Sequence, residues 1–171
     1  MKTKKIHVLP YDPQWRVNFE SICRELTLAL GELALRIEHV GSTSVEGLHA
    51  KPIIDIDVVI RDTTPMDAVI GALAEIGYQH EGDLGIPQRE AFCYDNKPHL
   101  QKHHLYVCPE SSPELRRHTA FRDYLRTHPQ DAAEYGRIKR EAVRLYPEDM
   151  AGYIAHKGTF IAKVYQRCGL E

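Results

Sequence analysis

Asp55 and Asp57 stand two residues apart in the run Ile53-Ile54-Asp55-Ile56-Asp57-Val58-Val59-Ile60. Side chains two apart on a strand share one face, and a run this apolar predicts a central, buried strand. Two carboxylates on one buried face repel each other and lose hydration. A cation is therefore expected with them, and a divalent ion, magnesium or manganese, completed by water and substrate phosphates suits a two-acid donor set. Just upstream lies Gly41-Ser42-Thr43-Ser44, a small-residue loop whose backbone N–H groups and hydroxyls can hold phosphate. Lys51, at the entry to the acid strand, can meet the same anion or pair with either acid. Taken alone, Asp-x-Asp also fits a solvent-facing edge strand. The surrounding Ile/Val run and the loop upstream argue against the edge.

Elements must hold these groups. After an extended arm over 5–10, Asp12-Pro13 predicts a helix start, with the acid as cap and proline in the first turn. Trp15, Phe19, Ile22 and Leu26 recur at helical spacing, and Gly31 ends the helix. Alternation over 33–40 predicts the strand that delivers Gly41-Ser42. Lys51-Pro52 forces an extended entry into the acid strand. Thr64-Pro65-Met66-Asp67 predicts a second helix capped by the threonine and stopped at Gly77. Residues 78–80 and 90–94 read as strands around a Gly-rich loop at 82–87, and 103–108 as another strand. From Ser112-Pro113 onward the pattern is helical in three pieces, broken at His128-Pro129 and Pro147 and ending near Gly169. The expectation is an α+β fold: a small mixed sheet in the first two thirds and a helical cap behind it, as one domain over 1–171.

The pairing of Gly-Ser at the end of one strand with Asp-apolar-Asp on the next resembles the signature of the nucleotidyltransferase superfamily. The longer string, from His39-Val40-Gly41-Ser42-Thr43-Ser44 through Gly47-Leu48 to Ala50-Lys51-Pro52-Ile53-Ile54-Asp55-Ile56, is similar to the GrpB family. Further matches fall at His103-His104-Leu105, Arg122 to Arg126, His128-Pro129 and Tyr153 to Lys157. The resemblance implies a nucleotidyltransferase-like fold and raises Arg122 and Lys157 as substrate contacts, although a helical cation is more often a solvated one. In the superfamily a third acid comes from a later strand. Here the natural strand, 103–108, offers His104 and Tyr106 instead, and this departure bears on a second metal ion. His104 then stands as a nitrogen ligand, a general base or a phosphate donor. Because neighbouring strand residues face opposite ways, only one of His103 and His104 can share the acids' side.

Composition sets the outer limits. The chain has 171 residues, 43% hydrophobic and 27% charged, with formal net charge -2. That is enough for a core of its own, and it provides no global field toward nucleic acid or membrane. Cys23, Cys93, Cys108 and Cys168 are widely spaced and form no zinc or disulfide pattern, which suits a reducing cytoplasm. The opening Met1-Lys2-Thr3-Lys4-Lys5-Ile6 has no apolar stretch behind it, so neither signal peptide nor membrane span is expected. Most of the ten histidines read as surface or capping residues. His39, on its strand's apolar side, fits either a buried histidine or a ligand.

Two functions follow. One is a metal-dependent nucleotidyltransferase, which moves a nucleoside monophosphate from a nucleoside triphosphate to a small acceptor. Its parts would be Gly41, Ser42, Thr43, Ser44, Lys51, Arg122 and Lys157 on the nucleotide, Asp55 and Asp57 on magnesium, and His104 at the acceptor. The other is a binding module that keeps a metal or nucleotide without transfer. A metal-dependent phosphohydrolase is a third reading of the same acids. A nucleic-acid acceptor is disfavoured because no basic stripe is present.

Overall fold

The computed structural model describes residues 5–170; Met1 to Lys4, part of the opening stretch read above, lie outside them. Helix α1 (Gln14–Leu30) starts where Asp12 Oδ1 accepts from Gln14 N at 2.9 Å, and it ends at Gly31, whose φ of 53° favours glycine. A short 3-10 turn at Gly31–Leu33 takes up the start of the expected first strand, so β1 runs over Arg36–Val40 only. A second 3-10 turn, Ser42–Ser44, leads toward β2 (Ile54–Ile60). Helix α2 (Met66–Glu75) forms as expected but without a side-chain cap from Thr64. Strands β3 (Gln79–Gly82), β4 (Glu90–Cys93) and β5 (His103–Pro109) complete the sheet. Helices α3 (Pro113–Thr127), α4 (Pro129–Leu145) and α5 (Met150–Arg167) follow, with Ser112 Oγ capping α3 through Leu115 N.

The five strands form one mixed sheet in the order β1-β2-β5-β4-β3, with β2 antiparallel to β1 and parallel to β5. The acid strand is therefore an interior strand, as its apolar run predicts. Register divides the sheet into two unlike faces. Ile54, Ile56, Val58, Leu105 and Val107 point to one side and join Ile22, Leu26, Leu30, Val69 and Leu73 of α1 and α2 in the main core. Each such side chain contributes about 1.5–3 kcal/mol on burial. The other side carries Glu38 opposite Asp57 and Val40 opposite Asp55 on β1, and His104 and Tyr106 beside the same two acids on β5.

The helical cap covers part of this polar side. Leu115 seals it below the acids against Val59 and Cys108. Leu125, Ala132 and Tyr135 pack on Val45 and Leu48 of the loop that follows Ser44. All four cysteines are free thiols. Among the described residues no helix is long and apolar enough to cross a membrane.

Candidate functional site

The polar face is built around its two carboxylates, which have different partners. Asp55 is partly exposed, and its Oδ1 lies 3.0 Å from His104 Nδ1. Asp57 is wholly buried, and its Oδ2 lies 2.6 Å from Nδ1 of His118 on α3. The second ring nitrogen of His118 is 3.1 Å from Glu114 Oε1. Burial pulls the His118 imidazole down, but the hydrogen bonds to Asp57 and Glu114 overcome it and hold the ring up at about 9. Burial pushes the Asp57 carboxyl up, and His118 opposes that shift. Asp57 Oδ1 is buried with no hydrogen-bond partner, a costly state for a carboxylate oxygen in a native fold.

The loop fits closely around Asp55. Gly41 sits at φ 73° and ψ -177°, a conformation almost restricted to glycine, directly against the Asp55 carboxylate. Ser44 Oγ donates to Gly41 O and closes the turn. Thr43 Oγ1 bonds His39 Nε2 at 2.9 Å, and the His39 ring stacks on Phe19 with centroids 4.5 Å apart. Burial, reinforced by Arg126, holds the His39 imidazole down at about 4, and its Nε2 is engaged by Thr43. His103 likewise turns into the core, 2.7 Å from the Tyr78 hydroxyl. These two are the buried exceptions; the other eight histidines are exposed or partly exposed, as expected.

Above the loop and Asp55, three lysines converge. Ser42, Thr43, Lys51, Asp55, His104, Lys139, Tyr153 and Lys157 line one cavity of about 130 Å³. The ammonium groups of Lys51 and Lys157 lie 5.4 and 4.9 Å from the centre of the same Tyr153 ring. Lys139 is 2% exposed and donates to His49 O at 2.8 Å. Desolvation lowers all three: Lys157 to about 8, with Lys51 adding repulsion; Lys139 well below its ordinary range, with Lys157 and Lys51 adding to it; and Lys51 in the same direction. The buried Tyr153 hydroxyl has no hydrogen-bond partner. Lysines brought this close lose hydration and repel one another, so each gives up its proton more readily than in water.

Of the residues singled out from sequence, Ser42, Thr43, Lys51, Asp55, His104 and Lys157 thus meet in one cavity, with Gly41 against Asp55. Arg122 lies apart from them. Its Nη1 donates to Glu38 Oε2 at 2.6 Å and His39 O at 3.1 Å, and its Nε pairs with Asp123. Arg126 donates twice to Ser44 O, at 3.0 and 2.8 Å. Both arginines fasten α3 to β1 and the loop. Sequence reasoning missed His118 and Glu114, although a signal was present: Glu114, His118, Arg122 and Arg126 form an i,i+4 row on α3. The row faces inward because the sheet face that it covers is charged.

No set of three or more His, Cys, Asp or Glu side chains among the described residues is arranged to hold a metal ion. Asp55 and Asp57 are the carboxylates that would meet a divalent ion, and only Asp55 lines the cavity. The unpartnered Asp57 Oδ1 fits an oxygen-seeking ion, such as magnesium, that takes its other ligands from water and phosphate.

The family model for the GrpB protein matches residues 5–167. A UPF0157 protein of Pseudomonas aeruginosa is 37% identical over 165 residues, covering 95% of this chain and 67% of the relative. The UPF0157 protein YqkA of Bacillus subtilis is 31% identical over 92% of this chain, which spans only 46% of that relative. The crystal structure of GrpB from Enterococcus faecalis superposes with a TM-score of 0.82 at 34% identity, covering 95% of this chain and 96% of that one. A Cid1 poly(U) polymerase bound to MgATP shares the fold at a TM-score of 0.55 and 10% identity, over 80% of this chain and 44% of the polymerase.

Proposed function

The chain belongs to the GrpB family, and from that premise we propose that its cleft is a metal-dependent nucleotidyltransferase site. In this reading a nucleoside monophosphate moves from a nucleoside triphosphate to a small hydroxyl acceptor, with release of pyrophosphate. One observation carries it: Lys51, Lys139 and Lys157 converge on the same cavity as the Gly-Ser loop and Asp55. The likeness in fold to a polymerase that binds MgATP supports the same class of ligand.

Each part has a task. The three lysines, Ser42 and the Tyr153 hydroxyl hold the triphosphate and neutralise its charge, and positioning with neutralisation supplies most of the catalysis in such reactions. Asp55 and Asp57 would hold a magnesium ion, which supplies Lewis-acid stabilisation of the phosphate oxygens when bound. His104 hydrogen-bonds to Asp55 through Nδ1, which fixes the ring and leaves Nε2 toward solvent as a proton acceptor. The acceptor oxygen forms its bond to the α-phosphorus as the bond to the β-phosphate oxygen breaks. Its proton goes to His104 Nε2, and pyrophosphate leaves toward the lysines.

A second reading is favoured by one specific feature: the β5 position beside Asp57 is Tyr106, not a carboxylate. The cleft then binds a nucleotide without transferring it. Calorimetric titration of a non-hydrolysable ATP analogue, with and without manganese, tests the shared premise. Metal-dependent binding to the native chain that is lost in Asp55→Asn is expected. Absence of binding by any nucleoside triphosphate overturns both readings. Binding without transfer to any hydroxyl acceptor leaves the binding module.

A further inference from the structure

His104 lines two cavities. One is the lysine cavity; the other, of about 480 Å³, extends from it toward β4 and the loop 94–102. The wall of this second space is preformed. The Tyr94 ring stacks on His103 with centroids 4.5 Å apart, and its hydroxyl accepts from His103 N at 3.0 Å. Gln101 donates to Pro52 O at 2.7 Å and accepts from Asn18 of α1 at 3.0 Å. Lys97 Nζ donates to Ile76 O at the end of α2 and lies 4.5 Å from the centre of the Tyr78 ring. The loop is thus tied to the core before any ligand arrives, so binding need not order it. What faces the space is largely apolar: Phe92, Tyr94, Pro98 and Leu100, with the Cys93 thiol among them. Of its charged residues Lys97 is already engaged, and Glu81 and Lys102 are opposite in sign. A space of this size and lining suits a small molecule and not a polymer.

We propose that this cavity is the acceptor subsite, and that it takes a small hydroxyl compound with an uncharged, flat apolar body whose hydroxyl meets His104 at the boundary with the lysine cavity. The inference rests on the transfer reading above and deepens it by naming the class of acceptor. The two spaces divide the substrates by chemistry. The smaller is cationic and suits phosphate groups; the larger is apolar and suits a carbon skeleton. His104, hydrogen-bonded to Asp55, stands where the two reacting groups come together. A preformed wall on the acceptor side holds the hydroxyl near the phosphate, and positioning of this kind supplies much of the rate in a transfer between two bound substrates.

The test compares the methyl, benzyl and 3-phenylpropyl monoesters of triphosphate by calorimetry, on the native chain and on Cys93→Trp, whose indole fills the larger cavity. An aryl ester joins a phosphate chain to an apolar body and can span both cavities past His104. At least one aryl ester is expected to bind the native chain about tenfold more tightly than the methyl ester. Cys93→Trp is expected to abolish that gain while leaving the affinities for tripolyphosphate and for the non-hydrolysable ATP analogue within about twofold. Should Cys93→Trp not fold, Cys93 of the folded chain is capped with benzyl methanethiosulfonate in a Cys23→Ser, Cys168→Ser background, where the remaining Cys108 is buried, and the same loss is expected. Equal affinity for all the esters, or a gain that survives in the filled cavity, overturns the inference and leaves the nucleotide reading standing. A matching loss of the ATP analogue in the filled forms gives the cavity to the nucleoside and overturns the acceptor assignment. No binding of tripolyphosphate or of the ATP analogue removes the nucleotide reading and this inference with it.

Discussion

Gly41 and Asp55 are in mutual contact across the β1–β2 pair: a Cβ placed on Gly41 would stand 2.3 Å from Asp55 Oδ2. The glycine is needed twice over, for its backbone conformation and for the room its missing side chain leaves to the acid. Gly41→Ala combines backbone strain with steric overlap and is expected to cost about 3 kcal/mol. It should also displace Asp55 and abolish metal-dependent nucleotide binding. Gly47, at φ 82° with nothing within 4 Å of a built Cβ, is the control. Gly47→Ala should cost about 1 kcal/mol from backbone strain alone and leave binding intact. Urea unfolding with nucleotide titration of both variants decides the matter, and equal effects would refute the role assigned to the Gly41–Asp55 contact.

The two acids are chemically alike and structurally unlike, so their amides should behave differently. Asp57→Asn removes the charge that His118 is held against inside the fold and should destabilise by about 3 kcal/mol. Asp55→Asn relaxes a partly exposed contact with His104 and should stay within about 1 kcal/mol of native. Both should lose metal-dependent nucleotide binding. Thermal unfolding separates them, with only Asp57→Asn markedly lowered. An equal fall in both would mean that Asp55 is also a structural ion-pair member.

Arg122 and Lys157 were linked by sequence resemblance as substrate contacts, and the structure separates them. Arg122 is 9% exposed and ties α3 to Glu38 and to the carbonyl of His39. Arg122→Ala leaves Glu38 with Arg36 alone and frees the His39 carbonyl from α3, and it is expected to cost about 2 kcal/mol in stability. Lys157 lines the anion cavity and is repelled there by Lys51. Lys157→Ala should preserve or raise stability and weaken binding of tripolyphosphate at least tenfold. The opposite pattern, with affinity lost in Arg122→Ala and stability lost in Lys157→Ala, would exchange their roles.

Much of this was legible in the sequence. Period-two alternation and the Ile/Val run were enough for β2 as an interior strand, because burial on both faces leaves no other composition. That only one of His103 and His104 shares the acids' side followed from strand geometry, and the register makes it His104. Glu114 and His118 left a signal that reads the other way: a charged i,i+4 row on a helix is taken as solvent-facing unless the sheet face beneath is known to be charged. The convergence of Lys51, Lys139 and Lys157 depends on how α4 and α5 dock on the loop. That docking is long-range packing, which local spacing does not encode.

The lysine cluster makes the cleft respond to pH in two opposing ways. Lys157 falls from 10.5 to about 8 in the fold, by desolvation and then by repulsion from Lys51. Between those values the unfolded chain holds a proton that the folded chain lacks, so Lys157 contributes stability that rises with pH over this window. His118 contributes with the opposite sign. Its folded value is raised to about 9, so its stabilisation is complete below the unfolded value of 6.5 and is lost as pH rises through 9. The difference in melting temperature between the native chain and Lys157→Met isolates the first contribution, and it should move in favour of the native chain from about pH 8 to about pH 10. Affinity for tripolyphosphate should move the other way, falling over the same window as the ammonium loses its proton. Calorimetry in buffers of different ionisation enthalpy should also detect proton uptake on binding near pH 8.5. A pH-independent affinity through that range would mean that the anion is held by the loop and not by the lysines.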